Sequence, residues 1–462
     1  MLFNSLAFLY AFLPITYVVF WRLTGKMPRY VWLAISGYVF YSFWNYKFCS
    51  LMLFSTTVSY LAGRGLLRWR DPGRRRLCVV IPVALDLALL GFFKYGNFAA
   101  ANLNGVLPWL GMRATLPILD LVLPVGISFY TFHTITYIID SYRGAITPTR
   151  NFFKFAAYVS LFSQLVAGPI VRFRQIDQDF EHIDRADRTA DLQTGWSFFV
   201  IGLLEKVLIA DTIAAVIDPA LARYAELSTV SAWLCVLGFA YQVYFDFGGY
   251  SDMAVGLGYM FGFRLPQNFN SPYKATDIAD LWRRWHISLS SFFRDYVYFP
   301  LGGSRGSRWL TARNLMITMV LVGLWHGANW LYVIFGAYQG LLLIGHRMIR
   351  ARWQRLPQWA QRSATFGLWL LGLAIFRASG FGMAAALLET MFTWHAGAGM
   401  VGAGALIVTL ALAAVIAHWA PNTFEIRHRW SPSWVAGCAV LFGICLFVLY
   451  GARPAPYIYF QF

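Results

Sequence analysis

Long apolar runs separated by short polar stretches follow one another along almost the whole chain. Many are close to, or shorter than, the ~20 residues that a perpendicular helix needs to cross a bilayer. The shorter runs suit tilted, broken or re-entrant helices, whose backbone must be covered by protein or by a water-filled cavity. The pattern predicts an all-α, polytopic transmembrane protein with about 11 spans, plus re-entrant and interfacial helices. The candidate spans are Phe3–Phe20, Tyr30–Trp44, Leu51–Gly63, Leu77–Phe93, Pro117–Ile139, Phe152–Ala167, Trp196–Ile217, Ala232–Phe247, Arg313–Trp325, Trp330–Met348, Phe366–Phe376, Met400–Trp419 and Trp434–Tyr450.

Basic residues concentrate in two of the polar stretches, Arg64–Arg76 and Arg347–Arg362. Loops rich in Lys and Arg face the cytoplasm, so we expect both stretches on that side and the N-terminus outside. The stretch Tyr95–Leu116, whose only charge is Arg113, then also lies outside.

Two longer polar stretches interrupt the middle of the chain. Arg172–Gln193, which includes Arg185 and Asp187, mixes both signs of charge and predicts a partly helical cytoplasmic surface segment. Arg264–Arg313 interleaves arginines with aromatic residues, which is typical of an amphipathic helix at the lipid interface. Because no Ser/Gly-rich linker or low-complexity tract divides the chain, we predict a single integral membrane domain over residues 1–462.

Composition narrows the class of protein. Hydrophobic residues make up 58% and charged residues 13% of the chain, whereas a soluble domain carries roughly 25% charged residues. The net charge of +17 lies in short stretches between apolar runs, which indicates topology-setting charge and no nucleic-acid partner. The five cysteines are scattered without a CxxC pair, so neither a disulfide framework nor a zinc site is predicted.

One histidine, His326, lies inside a long apolar run. An ionisable side chain at membrane depth is costly and is a functional candidate by default, and imidazole changes protonation near neutral pH. Asn329 follows three positions later, on the same face if one helix carries both residues, where it would approach or orient the ring. Hydrogen-bonded helix packing remains the alternative interpretation of this histidine.

A second candidate, His286, follows an Arg-Arg-Trp sequence where we expect the interfacial helix to meet the membrane. A pair of histidines with nearby amides suits proton transfer during acyl transfer, although a purely structural role is the alternative. Asp246 and Asp252 lie in an aromatic stretch. They either line a polar cavity or pair with arginines of Trp282–Arg294, and we favour the pairing.

Several catalytic classes lack their motifs. The chain has no G-x-S-x-G nucleophile elbow, no H-E-x-x-H zinc motif and no Walker-type phosphate loop. A covalent serine enzyme is therefore not expected, and neither a metal nor a tightly bound cofactor is predicted.

A set of segments in one order resembles the membrane-bound O-acyltransferase superfamily, and most closely its alginate or exopolysaccharide O-acetyltransferase branch. The resemblance runs from about Leu2 to Arg377 and is weakest after Phe381. A single Trp-His-Gly would mean little, but the ordered set is specific. The segments are Pro124–Phe132, Asp140–Gly144, Gln164–Arg172, Asp246–Asp252, Pro266–Tyr273, Trp282–Leu301 and Trp325–Gly327.

The resemblance implies a fold and a site. Its helices are expected to form a ring around a central tunnel, in which donor and acceptor meet at the signature histidine from opposite sides. His326 matches that histidine, taken as catalytic, and His286 matches the family's second histidine. Asn268 and Asn270 match a polar motif beside the active region and are candidate substrate-binding residues. By position, Asn329 or the indole N–H of Trp325 or Trp330 is a candidate donor to an oxyanion.

The expected reaction moves an acetyl group from cytoplasmic acetyl-CoA across the bacterial inner membrane to O-acetylate an extracytoplasmic polysaccharide, alginate-like or cellulose-like. Related systems imply a periplasmic acetyltransferase partner that completes the transfer, and membrane lipid surrounds the protein. Two alternatives stay open at this point. One is a polysaccharide or lipid transporter or flippase, against which the absence of an internal repeat speaks. The other is a family member that acylates a lipid or a protein.

Overall fold

The computed structural model describes residues 1–112, 115–184, 188–451 and 457–458. Over these residues the protein is built from helices without a β-strand, and one isolated bridge pairs Leu227 with Ala398. The predicted all-α class is therefore confirmed. Arg113, Arg185 and Asp187 of the predicted loops lie outside the described residues.

The described residues group into two compact units. The first comprises Met1–Trp196 and Ala254–Pro266, and the second comprises Ser197–Met253 and Gln267–Phe462. Two of the three boundaries fall inside helices, α9 and α11, whose ranges follow, and the third lies in the loop between Pro266 and Gln267. The single domain expected over residues 1–462 stays a prediction. The helices that begin in the first unit are α1 (Leu13–Arg22), α2 (Lys26–Asn45), α3 (Cys49–Arg68), α4 (Pro72–Leu90), α5 (Gly96–Val106), α6 (Ile127–Tyr142), α7 (Phe152–Ser160), α8 (Phe173–Glu181) and α9 (Arg188–Leu204).

Buried polar contacts join the helices of the first unit. Asp86 of α4 accepts hydrogen bonds from Ser55 of α3 and Thr134 of α6, each at 2.7 Å. A buried carboxylate is tolerated only when such donors replace its lost hydration. Tyr30 of α2 donates to the carbonyl oxygen of Phe180 in α8 at 2.7 Å, which ties the polar stretch to the helical core.

The second unit carries most of the candidate chemistry. One π-helical segment, Glu205–Ala210, joins α9 to α10, and a second, Arg294–Tyr298, follows α13. The helices that begin in this unit are α10 (Asp211–Leu221), α11 (Thr229–Met260), α12 (Ile278–Arg284), α13 (Ile287–Phe293), α14 (Arg308–His326), α15 (Trp330–Trp353), α16 (Gln358–Arg377), α17 (Phe381–Phe392), α18 (Ala403–His418) and α19 (Pro432–Gly451).

Helices α14 and α15 form a hairpin whose backbones approach closely through two glycines. A Cβ at Gly323 would overlap the carbonyl oxygen of Tyr332, and a Cβ at Gly336 would overlap that of Met319. Small residues allow such close approach in membrane helix pairs. The hairpin places His326 at the end of α14, beside the turn that leads into α15.

Three helical stretches among the described residues are long and apolar enough to cross a bilayer: Pro72–Leu110, Thr229–Met260 and Pro432–Gly451. Shorter apolar helices are Phe8–Arg22, Phe381–Phe392 and Ala403–His418. The total of about 11 spans stays a prediction. The pattern of apolar runs did not single out α17 as a span.

Two predicted spans are longer than the helices that form there. In Pro117–Ile139 the helix begins only at Ile127, because Gly126 adopts φ +74°, a left-handed conformation that interrupts a right-handed helix. In Phe152–Ala167 the helix ends at Ser160. Gln164 then donates from its side chain to the carbonyl oxygen of Tyr158 at 2.6 Å, so buried protein groups replace the missing helical bonds.

The prediction of one amphipathic interfacial helix over Arg264–Arg313 is wrong. The stretch contains only the short helices α12 and α13 and a π-helical turn before α14 begins. Proline at positions 266, 272 and 300 removes backbone donors that a continuous helix would need. The aromatic residues Phe269, Trp282 and Trp285 are buried inside the protein.

Candidate active site

His326 is the last residue of α14 and lines a small cavity of about 30 Å³. The ring is half-buried and stands edge-on to Phe376, with ring centroids 5.0 Å apart. The other walls are mostly aromatic, so a small group placed there would be held in a largely apolar space. The lining residues are Val243, Phe247, Trp282, Trp285, His326, Phe335, Trp369, Leu373, Phe376 and Ile458.

A glycine at position 327 allows the chain to turn away directly after the histidine. Its backbone is extended, and a Cβ there would overlap the ring of Tyr332 in α15. The Trp-His-Gly motif therefore has a packing reason for its third residue. The second residue is left at a helix end, where its side chain reaches the cavity.

His286 is completely buried and adopts φ +44°, one of two described non-glycine residues with positive φ. Such a conformation is strained in a residue with a Cβ, and strained residues cluster at functional sites. It lies between α12 and α13, where it ends one short helix and precedes the next. The backbone N–H of Ile287 donates to the carbonyl oxygen of Asn268 at 2.9 Å, which holds this turn.

Asn268 determines which nitrogen of His286 carries the proton. The side-chain oxygen of Asn268 lies 3.1 Å from Nδ1 of His286 and also accepts from the backbone N–H and hydroxyl of Ser288. Because a backbone N–H can only donate, the amide atom facing it is the oxygen. Nδ1 of His286 must then donate, which leaves the lone pair on Nε2.

Nε2 of His286 is buried and has no hydrogen-bond partner among the described residues. His286 lies outside the spanning helices, and burial lowers its pKa well below the ordinary 6.5, with a further lowering by the nearby His326. The ring of Trp325 contacts both histidines, with centroids 5.6 Å from His286 and 5.0 Å from His326. The two predicted histidines are thus brought together, and His286 is held as a neutral imidazole.

The expectation that Asn329 shares a helix face with His326 is wrong. Helix α14 ends at His326 and α15 begins at Trp330, so no helical register relates the two residues. The side chain of Asn329 instead accepts from the backbone N–H of Leu331 at 2.9 Å and caps α15. A role for Asn329 toward substrate stays a prediction.

The two asparagines of the Pro266–Tyr273 segment take different positions. Asn268 is buried against His286, whereas Asn270 is half-buried and accepts from the side-chain amide of Asn422 at 3.1 Å. Neither lines the cavity of His326. Their predicted role in binding substrate stays a prediction, and the contacts of Asn268 favour positioning of His286.

The carboxyl groups of Asp246 and Asp252 also have different surroundings. The predicted pairing of Asp246 with arginines of Trp282–Arg294 is wrong, because Lys206 is its partner. Lys206 also pairs with Asp211 at 2.8 Å. Asp252 lines a second cavity of about 260 Å³ together with Glu205, which agrees with the polar-cavity alternative.

Sequence reasoning missed Lys206, Glu205 and Ile458. Lys206 and Glu205 lie within an apolar run that we treated only as a span. Ile458 lines the His326 cavity from a position 132 residues further along the chain, by the difference of the two residue numbers. No local pattern marks an isoleucine for such a place.

These features define a helical membrane protein that holds a half-buried histidine at a small, largely apolar cavity. The chain belongs to the membrane-bound O-acyltransferase family, and the family match covers residues 141–384. It is an O-acyltransferase and falls in the alginate O-acetylase branch. The predicted resemblance is thus confirmed.

Curated relatives extend over most of the chain. It is 42% identical over 401 residues to the probable alginate O-acetylase AlgI of Pseudomonas aeruginosa, covering 86% of this chain and 76% of the relative. It is 35% identical over 426 residues to the peptidoglycan O-acetyltransferase of Helicobacter pylori, covering 85% and 80%. A more distant match, 29% identical over 248 residues, is the teichoic acid D-alanyltransferase of Bacillus subtilis, covering 52% and 62%.

Proposed function

We propose that this protein moves an acetyl group from acetyl-CoA across the membrane for the O-acetylation of an extracytoplasmic polysaccharide, with His326 as general base toward the hydroxyl group that receives the acetyl. The observation that carries the proposal is the position of His326 at the end of α14, where its half-buried ring lines a cavity and lies near a neutral His286. A general base must reach the proton that it removes, and the cavity provides room beside the ring.

The chemical step moves one acyl group and one proton. The attacking hydroxyl oxygen bonds to the thioester carbonyl carbon while His326 accepts the hydroxyl proton. The resulting oxyanion re-forms the carbonyl as the carbon–sulfur bond breaks, and the thiolate of CoA takes the proton from His326. Trp325 and Asn329 are the proposed donors to the oxyanion. No cofactor-binding group is needed for these steps.

His286 supports His326 in this scheme. Because Asn268 holds the proton on Nδ1 of His286, the Nε2 lone pair is the group that is able to accept a hydrogen bond. An imidazolium forming at His326 would be stabilised by such a neutral acceptor. Asn268 and Ser288 hold the ring in orientation, as the outer partners of catalytic histidines do in other enzymes.

The polysaccharide acceptor is supported by the relatives, whose names specify alginate and peptidoglycan O-acetylation. We further propose a multi-pass location in the bacterial inner membrane, with acetyl-CoA entering from the cytoplasm. A periplasmic acetyltransferase would receive the acetyl group and complete the transfer to polymer. The +17 net charge supports binding of the anionic CoA at a basic cytoplasmic face.

The central test measures CoA release from acetyl-CoA by the purified protein in lipid nanodiscs, with a periplasmic extract present to supply the acceptor hydroxyl. His326→Ala should lower the rate by about 10²–10⁴-fold, the usual contribution of a positioned general base. His395→Ala is the matched control, because this histidine is exposed and lies outside the site. Normal turnover by His326→Ala would refute the proposed base, and no CoA release by the wild type would favour a transporter or flippase.

A second experiment tests the acceptor and the relay. Labelled acetyl-CoA is supplied to vesicles with and without a periplasmic extract, and label is measured in polymer, lipid and protein. The proposal expects label in polysaccharide only when the extract is present. Full acetylation of polymer by the purified chain alone would contradict the relay, and label in lipid would indicate a different acceptor class.

A further inference from the structure

The cavity beside His326 has one wall from near the C-terminal end of the sequence. Ile458 lines it together with aromatic residues of α11, α12, α15 and α16. Tyr457 and Ile458 are both buried, with only 1% and 4% of their surface exposed. They lie beyond residues 141–384, the part of the chain that matches the family. This wall therefore comes from outside the matched region.

A buried ion cluster anchors this wall. The backbone N–H of Ile458 donates to Oδ2 of Asp246 at 2.8 Å, while the other oxygen of Asp246 pairs with Lys206. The ammonium group of Lys206 lies 4.3 Å from the centroid of the Tyr457 ring, a cation–π contact. Tyr457 in turn stands edge-on to Tyr250 of α11, with centroids 4.8 Å apart.

These contacts fix Ile458 through its own backbone and through the side chain of the preceding residue, Tyr457. A hydrogen bond to an ionised carboxylate is among the stronger ones in proteins, and Asp246 offers it from inside a spanning helix. The same helix, α11, supplies Val243 and Phe247 to the cavity. The isoleucine side chain is therefore fixed relative to the wall that faces it.

We propose that Ile458 sets the size of acyl group that His326 can transfer. A group the size of a water molecule needs roughly 10–15 Å³ of free cavity volume. The cavity of about 30 Å³ therefore accommodates two or three such groups. That space suits the methyl group and carbonyl oxygen of an acetyl group. A further methylene directed toward Ile458 would overlap that side chain, and closely packed protein interiors yield little to an added methylene.

Ile458 is the wall residue best placed to act in this way. Trp282, Trp285 and Trp369 are mutually packed aromatic rings, with Trp369 centred 5.9 Å from Trp282 and 5.2 Å from Trp285. Shortening Ile458 removes cavity wall without disturbing these rings. The inference rests on the proposed acetyl transfer, because it concerns the acyl group held at the same histidine.

The test measures kcat/KM for CoA release from acetyl-, propionyl- and butyryl-CoA by the protein in nanodiscs, with a periplasmic extract present to supply the acceptor. Because one methylene in an apolar pocket discriminates by about 10- to 200-fold, Ile458→Ala should raise the propionyl-to-acetyl ratio at least about tenfold. Ile458→Val should give an intermediate ratio while preserving packing. Leu449→Ala, a buried aliphatic truncation in α19 away from the cavity, should leave the ratio unchanged.

The outcomes distinguish a failure of the proposed role of Ile458 from a failure of the proposed acetyl transfer. An unchanged ratio in both Ile458 variants, with acetyl transfer retained, would overturn the role of Ile458 and leave the proposed function standing. Equal use of propionyl- and acetyl-CoA by the wild type would also overturn it. If the wild type releases CoA from none of the three donors, the proposed function fails and the size filter fails with it. Ile458→Phe offers the opposite change and should lower acetyl transfer without admitting longer chains.

Discussion

The side-chain oxygen of Asn268 lies 3.1 Å from Nδ1 of His286 and leaves Nε2 of that ring as the unprotonated nitrogen. The two residues are 18 positions apart, because Asn268 precedes α12 and His286 lies between α12 and α13. This contact converts a buried, strained histidine into an acceptor of defined orientation beside His326.

Replacement of Asn268 should change the pH dependence of acetyl transfer. In Asn268→Asp a carboxylate would stabilise the imidazolium form of His286 and raise its pKa, so the acidic limb of the kcat profile should move to higher pH. Asn268→Leu removes the acceptor, and a loss of about 1–3 kcal/mol corresponds to roughly a 5- to 150-fold fall in kcat. The measurement is kcat and KM for acetyl-CoA across pH.

Asn45→Asp is the matched control for this experiment. Asn45 also accepts a backbone hydrogen bond, from Lys47 at 3.0 Å, but it lies outside the site, so its variant should keep the wild-type profile. A profile for Asn268→Asp that coincides with the wild type, at unchanged kcat, would show that Asn268 does not act through His286.

Gly336→Ala should destabilise the α14–α15 hairpin and impair catalysis. The added methyl group would overlap the carbonyl oxygen of Met319, and such overpacking typically costs about 1–3 kcal/mol. Separation of the two helices would also displace His326 from its cavity. In α15, Gly345→Ala is the control, because nothing lies within 4 Å of the added methyl group. Thermal unfolding and CoA release should both fall in the first variant and stay near wild type in the second.

Lys206→Met should be strongly destabilising. The substitution leaves Asp246 and Asp211 without their shared cation, and breaking a buried ion pair on one side costs about 3–5 kcal/mol. The double variant Lys206→Met with Asp246→Asn also removes one of the two unpaired carboxylate charges, so it should recover part of the lost stability. A melting temperature for Lys206→Met equal to that of the wild type would contradict the buried cluster.

Stability in the acid range should depend on Glu181, at the end of α8. A hydrogen bond from Lys154 lowers the pKa of this carboxyl group below its ordinary 4.5, so the folded state binds its proton more weakly than the unfolded state. Its contribution to stability is complete above pH 4.5 and is lost as pH falls through the lower folded-state value. The melting temperature of Glu181→Gln should therefore fall less steeply with pH below 4.5. Parallel wild-type and variant slopes there would rule out this contribution.

Some of the site could be predicted because its signal is local. His326 is visible as an imidazole within an apolar run, and its Trp-His-Gly context is visible beside it. The proposed helical register between His326 and Asn329 failed, because the helix ends where a tight approach of Tyr332 requires glycine at position 327. Helix ends of this kind depend on a neighbour in space.

Other features depend on contacts between distant positions. The predicted arginine partner of Asp246 is replaced by Lys206, which lies 40 residues earlier as the second residue of a π-helical segment. The stretch Arg264–Arg313 has the composition of an interfacial helix, yet its residues Phe269 and Trp285 are buried inside the protein, and Phe269 stacks on His286. Composition alone does not distinguish burial in lipid from burial in protein.

By itself, the sequence determined the helical membrane class, the family and the two histidines, because hydropathy and ordered motifs are properties of neighbouring residues. Only the tertiary structure decided the tautomer of His286, the closing of the cavity by Ile458 and the partner of Asp246. Each of these depends on distances between groups that are far apart along the chain, and such distances are set by how the helices pack.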